Sequence, residues 1–497
     1  MRLSIRVYII ISLATLIAWV PASYALDKTP ITLKKVTITL TGPGKDDPVL
    51  QSTLTTLPIQ HAQTLSLEQY KQDKRTLYDM AIARGYIHAS YTEHEVRIDE
   101  NLKSAQITLS LATNQPFNFG ELRFSHTPFS EAFLMRFVPF KRGDRFNHED
   151  LLLLQSRLIQ SGYFTKVVIE PLPEEAKNNA VPIQVNLTTV KQQAYTFGIG
   201  YGTDTGARGL VGTQFNYLNQ HGHRLKTTLN ASQRYNNLES QYIIPGSNPL
   251  LDSYQFTGNV FHLNTDAKGD SIAGKFSVGK HHASNRWSYT HTINALWERN
   301  FNIPDNLPTT NKFILYPSLQ WSYKKPSEKG ARNYGYAFDL LLRGASQNAL
   351  SDVTFLQSKI RGNGLYHLND RLTFKLRGEF GYTLLSGLDD LPTSLHFLAG
   401  GTQSIRGYDY QSIGPGRYLA TGSAELHYAF NENWGAGIFF DAGSVFNAHE
   451  FHDNFKQGIG FVVTRQTPFG PVEAGLARGI SKGGKSIQFV FNLGTTL

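Results

Sequence analysis

From Gln193 to the last residue the sequence keeps a period of two and loses every sign of helical spacing. Tyr195, Phe197, Ile199 and Tyr201 fall on one face of the first segment. Phe313, Leu315, Leu319, Trp321 and Tyr323 share a face of another, interrupted only by Pro317. Leu372, Phe374, Leu376, Phe380 and Tyr382 form a third, and Ile487, Phe489, Phe491 and Leu493 form the last. Successive side chains point to opposite sides of a strand, so each segment has one apolar face and one small or polar face. A barrel with lipid outside and water inside requires that pattern. A soluble sandwich or propeller would have no use for so many outward aromatics in a chain with 31 Phe, 24 Tyr and 5 Trp. Strands of about ten residues plus connections repeat every 19 residues or so, which predicts roughly sixteen antiparallel strands over 193–497. Short turns are expected at Asn219–His223, Pro245–Pro249, Asn369-Asp370, Asn431–Asn433 and Pro468–Pro471. Longer connections are expected at Ser386–Ala420 and Asn447–Asn454, on the opposite side. An even strand count returns both ends of the barrel to one side.

The N-terminal third has a different grammar. Arg2 and Arg6, the apolar run Val7–Val20 and the small-x-small triplet Ser23-Tyr24-Ala25 read as a secretory signal peptide over 1–25. No run of about twenty apolar residues follows, so no transmembrane helix is expected. Residues 26–113 and 114–192 then show the same order twice. Lys35–Leu40 and Ala105–Ala112 alternate as strands around a helix over Leu67–Gly85, with Leu77, Met80 and Ala81 on one face. Phe117–Phe124, Phe164–Glu170 and Val181–Val190 are strands around a helix over Glu149–Gln160, capped by Asn147 and carrying Leu151, Leu152, Leu154 and Leu158. Each copy passes from helix through Gly-Tyr to strand, at Gly85-Tyr86 and Gly162-Tyr163. Glycine supplies the left-handed residue that stops the helix, and the tyrosine can fold back on it as an anchor. Two small α+β units before a barrel are therefore expected.

Composition removes several classes of function. With no cysteine there is no disulfide framework and no thiolate metal site. The net charge of +9 is spread through strands and loops rather than clustered on a helix, so nucleic acid is not an expected partner. Gly269-Asp270-Ser271-Ile272 superficially resembles an esterase block but has no placed histidine or acid. His221/His223 and His281/His282 lie in turns without a carboxylate beside them, and no metal is assigned. Gly42-Pro43-Gly44-Lys45 lacks the spacing and hydroxyl of a phosphate loop. No cofactor and no catalytic residue is expected.

One loop carries unusual chemistry. The connection before the last strands contains Gly400, Gly401, Thr402, Gln403, Ser404, Ile405, Arg406, Gly407 and Tyr408. It is too apolar to be merely solvated, and its glycines permit close backbone approach if it folds back into the lumen. An arginine buried there needs a carboxylate, because an unpaired buried charge is costly. Glu425 and Asp441, both on following strands, are the candidates.

This loop, the strand Phe439-Phe440-Asp441-Ala442-Gly443, the strand Gly458-Ile459-Gly460-Phe461 with its Thr467–Val472 turn, and the paired Gly-Tyr units resemble the outer-membrane insertase superfamily. Within it they are most similar to the translocation and assembly module (TamA-like) branch, as is Val138-Pro139-Phe140-Lys141-Arg142-Gly143-Asp144. The resemblance implies POTRA domains at 26–113 and 114–192 in the periplasm, and a sixteen-stranded barrel in the outer membrane of a Gram-negative bacterium. It also implies docking of Arg406 on the barrel wall at Asp441 and Glu425. A weak seam is implied between the strand of Tyr195, Phe197, Ile199 and Tyr201 and that of Ile487, Phe489, Phe491 and Leu493. The implied function is assembly of unfolded outer-membrane or autotransporter clients into lipid, with an inner-membrane-anchored partner of the TamB type. TamA-like proteins usually carry three POTRA domains, and there is room here for two. Two-partner secretion transporters also have two, which makes a dedicated exporter of one cognate protein the alternative. Those usually begin with a plug helix and linker, for which Leu26–Ile31 leaves no space.

Overall fold

The computed structural model describes residues 30–265, 268–302, 309–327, 333–448, 450, 455–468 and 470–493. The expected signal peptide, Phe469 of one expected turn, residues 449 and 451–454 of one expected connection and the tail after Leu493 lie outside the described residues. The chain divides into two compact units. One runs through Glu121 and includes Arg142–Glu149 and Leu172–Pro182; the other is the remainder.

The first sheet has the order Thr32–Thr41, Ser104–Ala112, Ser90–Asp99. Its central strand buries Ala105, Ile107, Leu109 and Leu111, the alternate positions of an apolar-polar repeat. It pairs in parallel with Thr32–Thr41 and antiparallel with Ser90–Asp99. Ser90–Asp99 escapes the sequence reading for a physical reason: it is an edge strand, and only Tyr91 and Val96 are partly buried. Helix Leu67–Ala83 starts on Ser66, whose Oγ accepts from Gln69 N at 3.2 Å. It stops at Gly85, with φ of +89°, and Tyr86 folds back into the core with Leu77 and Ala81.

A second helix in this unit, Pro48–Thr56, was not expected, although Asp47-Pro48 is a good start signal. Asp47 is fully buried and accepts from Val49 N at 3.0 Å; Arg145 and Arg84 reach its Oδ2 at 2.9 and 3.4 Å. Burial pushes its carboxyl upward, but the backbone N–H of Val49, the two guanidinium groups and the N–H of Leu50 together hold it below its ordinary value of 3.8. A carboxylate with a lowered folded pKa adds stability that is present above the unfolded value and lost as pH falls through the folded one. Asp47→Asn is therefore expected to destabilise this unit by about 1–3 kcal/mol at pH 7, since two cations lose their acceptor. The gap to wild type should close below pH 3.8. Urea unfolding at pH 7 and at pH 3 checks this, and a gap that widened in acid would refute it.

The second sheet has the order Asn118–Phe124, Ala180–Thr189, Phe164–Pro171, with helix His148–Gln160. Asn147 Oδ1 accepts from Glu149 N at 3.0 Å, and Leu151, Leu154 and Leu158 are buried. Leu152 is exposed instead, because it is one residue off the face that those three define. Gly162 takes φ of +71° and Tyr163 is buried.

Residues from Gln193 to Leu493 form a closed barrel of sixteen antiparallel strands. Ile272 and Phe276 face outward while Ala273 and Ser277 face the lumen, and the same alternation recurs around the wall. Tight connections join strands at the end where the chain enters the barrel at Gln193: Pro245 to Asp252, His367 to Leu372 and Ala429 to Trp434. The expected asymmetry is incomplete, because Gly202 to Gly206 and Ser232 to Tyr235, at the other end, are as short. At the near end the barrel meets an aromatic cluster. Phe129, Phe133 and Tyr163 pack edge-on and tilted, Phe129 also meets Tyr217, and the Arg224 guanidinium lies 4.0 Å over the Tyr163 ring. Tyr163 Oη donates to Gly222 O at 2.6 Å.

Candidate functional site: the lumen loop and the barrel seam

Between strands Leu372–Leu385 and Tyr418–Ala429 the chain turns into the lumen, pairing only a short hairpin, Phe397–Ala399 with Ile413–Gly416. Ile405 and Tyr408 pack there with Phe397, Ile413, Leu419 and Val445. Positive φ at Gly400, Gly401 and Gly407 shapes the loop, and a Cβ on Gly407 would lie 2.4 Å from Gly479 N. Only glycine meets both demands at that point. Ser404 Oγ accepts from Gly400 N at 3.3 Å, and Ser404 O accepts from Arg377 Nη2 at 3.1 Å. Tyr408 Oη bonds Gln457 O at 3.2 Å and receives Ser481 N at 3.2 Å.

Arg406 is 5% exposed and Asp441 0%. Arg406 Nε donates to Asp441 Oδ2 at 2.7 Å and Nη2 to Oδ1 at 2.9 Å, a two-pronged bond that matches the carboxylate plane. Arg406 N also donates to Asp441 Oδ2, at 3.0 Å. Nη1 reaches Glu425 Oε2 at 3.2 Å, and Glu425 receives Lys375 Nζ at 2.9 Å on its other oxygen. Three partners were not legible in the sequence: Ser423 Oγ at 3.2 Å, the Phe439 ring 3.3 Å beneath the guanidinium, and Glu473 at 4.0 Å. Ser423 and Phe439 could have been found, since each lies two residues before one of the acids and so shares its strand face.

Gly458 fits beneath this site because it has no side chain: a Cβ there would lie 2.0 Å from Arg406 O. Gly458→Ala is expected to displace the loop and cost about 1–3 kcal/mol. Gly209→Ala, with nothing within 4 Å of the added methyl, should change little. The temperature at which the folded barrel loses its fast gel mobility measures both, and equal midpoints for the two variants would refute the fit.

The same loop touches both strands of the closure. Thr402 N donates to Asp204, just after the first strand, and Gly407 N donates to Gln488 Oε1, in the last strand, at 2.9 Å. That closure is thin. The first strand, Gln193–Gly202, pairs along its whole length with Gly206–Phe215. With the last strand, Gln488–Leu493, it pairs at only Gly202–Asn492 and Tyr201–Leu493 among the described residues. Tyr195, Phe197 and Ile199 stand outward, the last two 75% and 88% exposed, with no partner strand on that side among the described residues. Ile487 is a correction: it was expected inside the last strand, but the strand begins at Gln488, and Ile487 is exposed ahead of it. Phe489 faces out, and the Phe491 ring is 6.1 Å from Tyr201. On the lumen side Arg208 reaches from the second strand to Asn492 Oδ1, and to Leu493 O at 3.3 Å. Gly200 leaves the space for it to pass, with Arg208 Nε 3.1 Å from where a Cβ would stand.

The chain thus joins a sixteen-stranded barrel to a glycine-rich lumen loop with a buried arginine, with α+β units ahead of the barrel in sequence. The family profile described as "Omp85 superfamily domain" matches residues 216–497. The chain belongs to the Omp85 superfamily. The profile for a POTRA domain, "surface antigen variable number repeat", matches residues 117–189. Among solved structures, this Omp85 protein is similar to BamA from Haemophilus ducreyi lacking POTRA domains 1–3. The TM-score is 0.79 at 18% identity, over 93% of this chain and 99% of that one. It is also similar to CdiB from Acinetobacter baumannii, with a TM-score of 0.54 at 15% identity over 95% and 92% of the two chains. At those identities the likeness is one of fold. An Omp85 barrel with POTRA units implies the outer membrane as its place.

Proposed function

We propose that this Omp85 protein is an outer-membrane assembly factor of the TamA type, which inserts or translocates unfolded β-barrel and autotransporter clients. The observation that carries the proposal is the closure, which among the described residues pairs at two positions and leaves the rest of the first strand's edge without a partner. An unpaired strand edge in hydrocarbon costs several kcal/mol per orphaned group, so it recruits a strand to pair with. A client strand added there satisfies those groups through its backbone, whatever its side chains are. The POTRA units stand in the periplasm in this reading and offer edges such as Ser90–Asp99 to the arriving chain. An inner-membrane-anchored partner of the TamB type would work with them. No covalent chemistry is involved, so the protein is not an enzyme and needs no cofactor. Arg406, Asp441 and Glu425 hold the lumen loop, and through Asp204 and Gln488 the loop sets how firmly the closure is held.

The test is the outer-membrane proteome of cells with and without the protein. Depletion of several unrelated barrel or autotransporter proteins is expected. Loss of one secreted protein from the medium with the membrane unchanged would instead establish a dedicated two-partner exporter.

A further inference from the structure

Away from the arginine site, the lumen contains a second cavity of about 370 Å³, lined by both the barrel wall and the lumen loop. Its wall carries two cations, Lys275 and Arg343, and no carboxylate. Both are at inward positions, since Phe276 and Leu342 beside them face out. Arg343 donates Nε to Gln357 Oε1 at 2.7 Å and Nη2 to Leu395 O at 3.3 Å, which leaves its charge without an anion. Lys275 has no hydrogen bond or ion pair among the described residues; Glu239, which accepts from Asn259 Nδ2 at 3.2 Å behind the lining, is the acid whose charge acts on it. Two cations face this space with no carboxylate in its lining, Glu239 and Glu298 being held behind Asn259 and Ser394, so an entering anion meets both cations directly.

The rest of the lining narrows the ligand. Asn259 is 7% exposed, and its Oδ1 accepts no hydrogen bond; Gln411 Oε1, contributed by the loop, is likewise unsatisfied. Buried acceptors of this kind call for donors. Tyr316 and Leu296 add flat apolar surface that suits the C–H face of a sugar ring. We propose that this cavity binds a hexose phosphate or a sugar acid of similar size, its oxyanion on Lys275 and Arg343 and its hydroxyls on Asn259 and Gln411. The strands from Tyr235–Pro245 through Thr310–Lys325 pair continuously, the ladder on to Tyr334–Ala345 stops at Ser318 and Arg343, and beyond it Ser351 and Asp352 bond Leu315 and Phe313 and cover the wall there. A free solute arriving through the barrel mouth fits better than a lipid headgroup.

Calorimetric titration of the full chain in detergent with glucose 6-phosphate tests this, with glucose and inorganic phosphate as comparison probes. Saturable binding of the hexose phosphate is expected, at least about tenfold tighter than either comparison probe, because each supplies only half of the contacts. Lys275→Gln and Arg343→Gln should each weaken binding about tenfold, and Lys275→Arg should retain it. Unchanged heat-modifiable gel mobility shows that the variants fold. If a charge variant misfolds, Asn259→Ala, which keeps both cations, should still weaken the hexose phosphate while leaving inorganic phosphate unaffected. No saturable binding, equal binding of phosphate or glucose, or binding indifferent to the substitutions would overturn the assignment and leave water as the cavity's content.

Discussion

Arg406→Ala is expected to lower barrel stability by about 3–5 kcal/mol and to abolish assembly activity. The magnitude follows from what remains behind. Asp441 is wholly buried, and without the guanidinium its charge has no solvent and only Arg377, two strands away in the same row, as a counter-ion. Glu425 still has Lys375 at 2.9 Å, so the damage concentrates on one carboxylate. Arg406→Lys should recover only part of the loss. An ammonium cannot give Asp441 two parallel bonds, nor lie flat on the Phe439 ring as the guanidinium does at 3.3 Å. Asp441→Asn should resemble Arg406→Ala in direction. The decisive measurement is the double variant Arg406→Ala/Asp441→Ala, followed by urea unfolding of the folded barrel. Residues that act on each other lose less together than the sum of their separate losses. Full additivity would mean that the pair does not act as a pair.

Much of this arrangement was legible because the residue types are demanding. A lone arginine among glycines and apolar residues must find an acid, and Asp441 and Glu425 followed on the next strands. The barrel was legible for a similar reason: alternation persists wherever one face meets lipid, and it does so in Leu372–Leu385 as plainly as in Trp434–Phe446. The reading failed where burial is slight or the contacts are remote. Ser90–Asp99 is an edge strand whose charges hide its period. Helix Pro48–Thr56 was missed because only Leu50 of it is buried. Asp204 and Gln488 are brought to the loop only by closure of the barrel, across 198 and 81 residues, and no local pattern encodes that. The register at the closure is of the same kind: the identity of the two strands could be read, but the meeting of Tyr201 with Leu493, and the exclusion of Ile487, are properties of the closed ring.

Locking that ring should stop the protein. Tyr201 and Leu493 lie directly opposite each other in one of the two pairs that close it, both on the lipid side. Opposed residues of an antiparallel pair have Cα atoms about 4.5–5.5 Å apart, within the reach of a disulfide. The natural chain has no cysteine, so Tyr201→Cys/Leu493→Cys introduces a single possible bridge. The two residue pairs of the closure among the described residues contribute at most a few hydrogen bonds, each worth about 0.5–1.5 kcal/mol net, and a closure held by these opens thermally. A covalent bond does not. The oxidised variant is expected to fold and to lose client insertion into proteoliposomes, and a reductant should restore it. A bridge at Phe461 and Leu476, opposed on neighbouring strands away from the closure, should leave insertion intact in both states. If insertion persists with the closure fully oxidised, the client does not enter between the first and last strands. The open edge at Tyr195, Phe197 and Ile199 would then need another explanation.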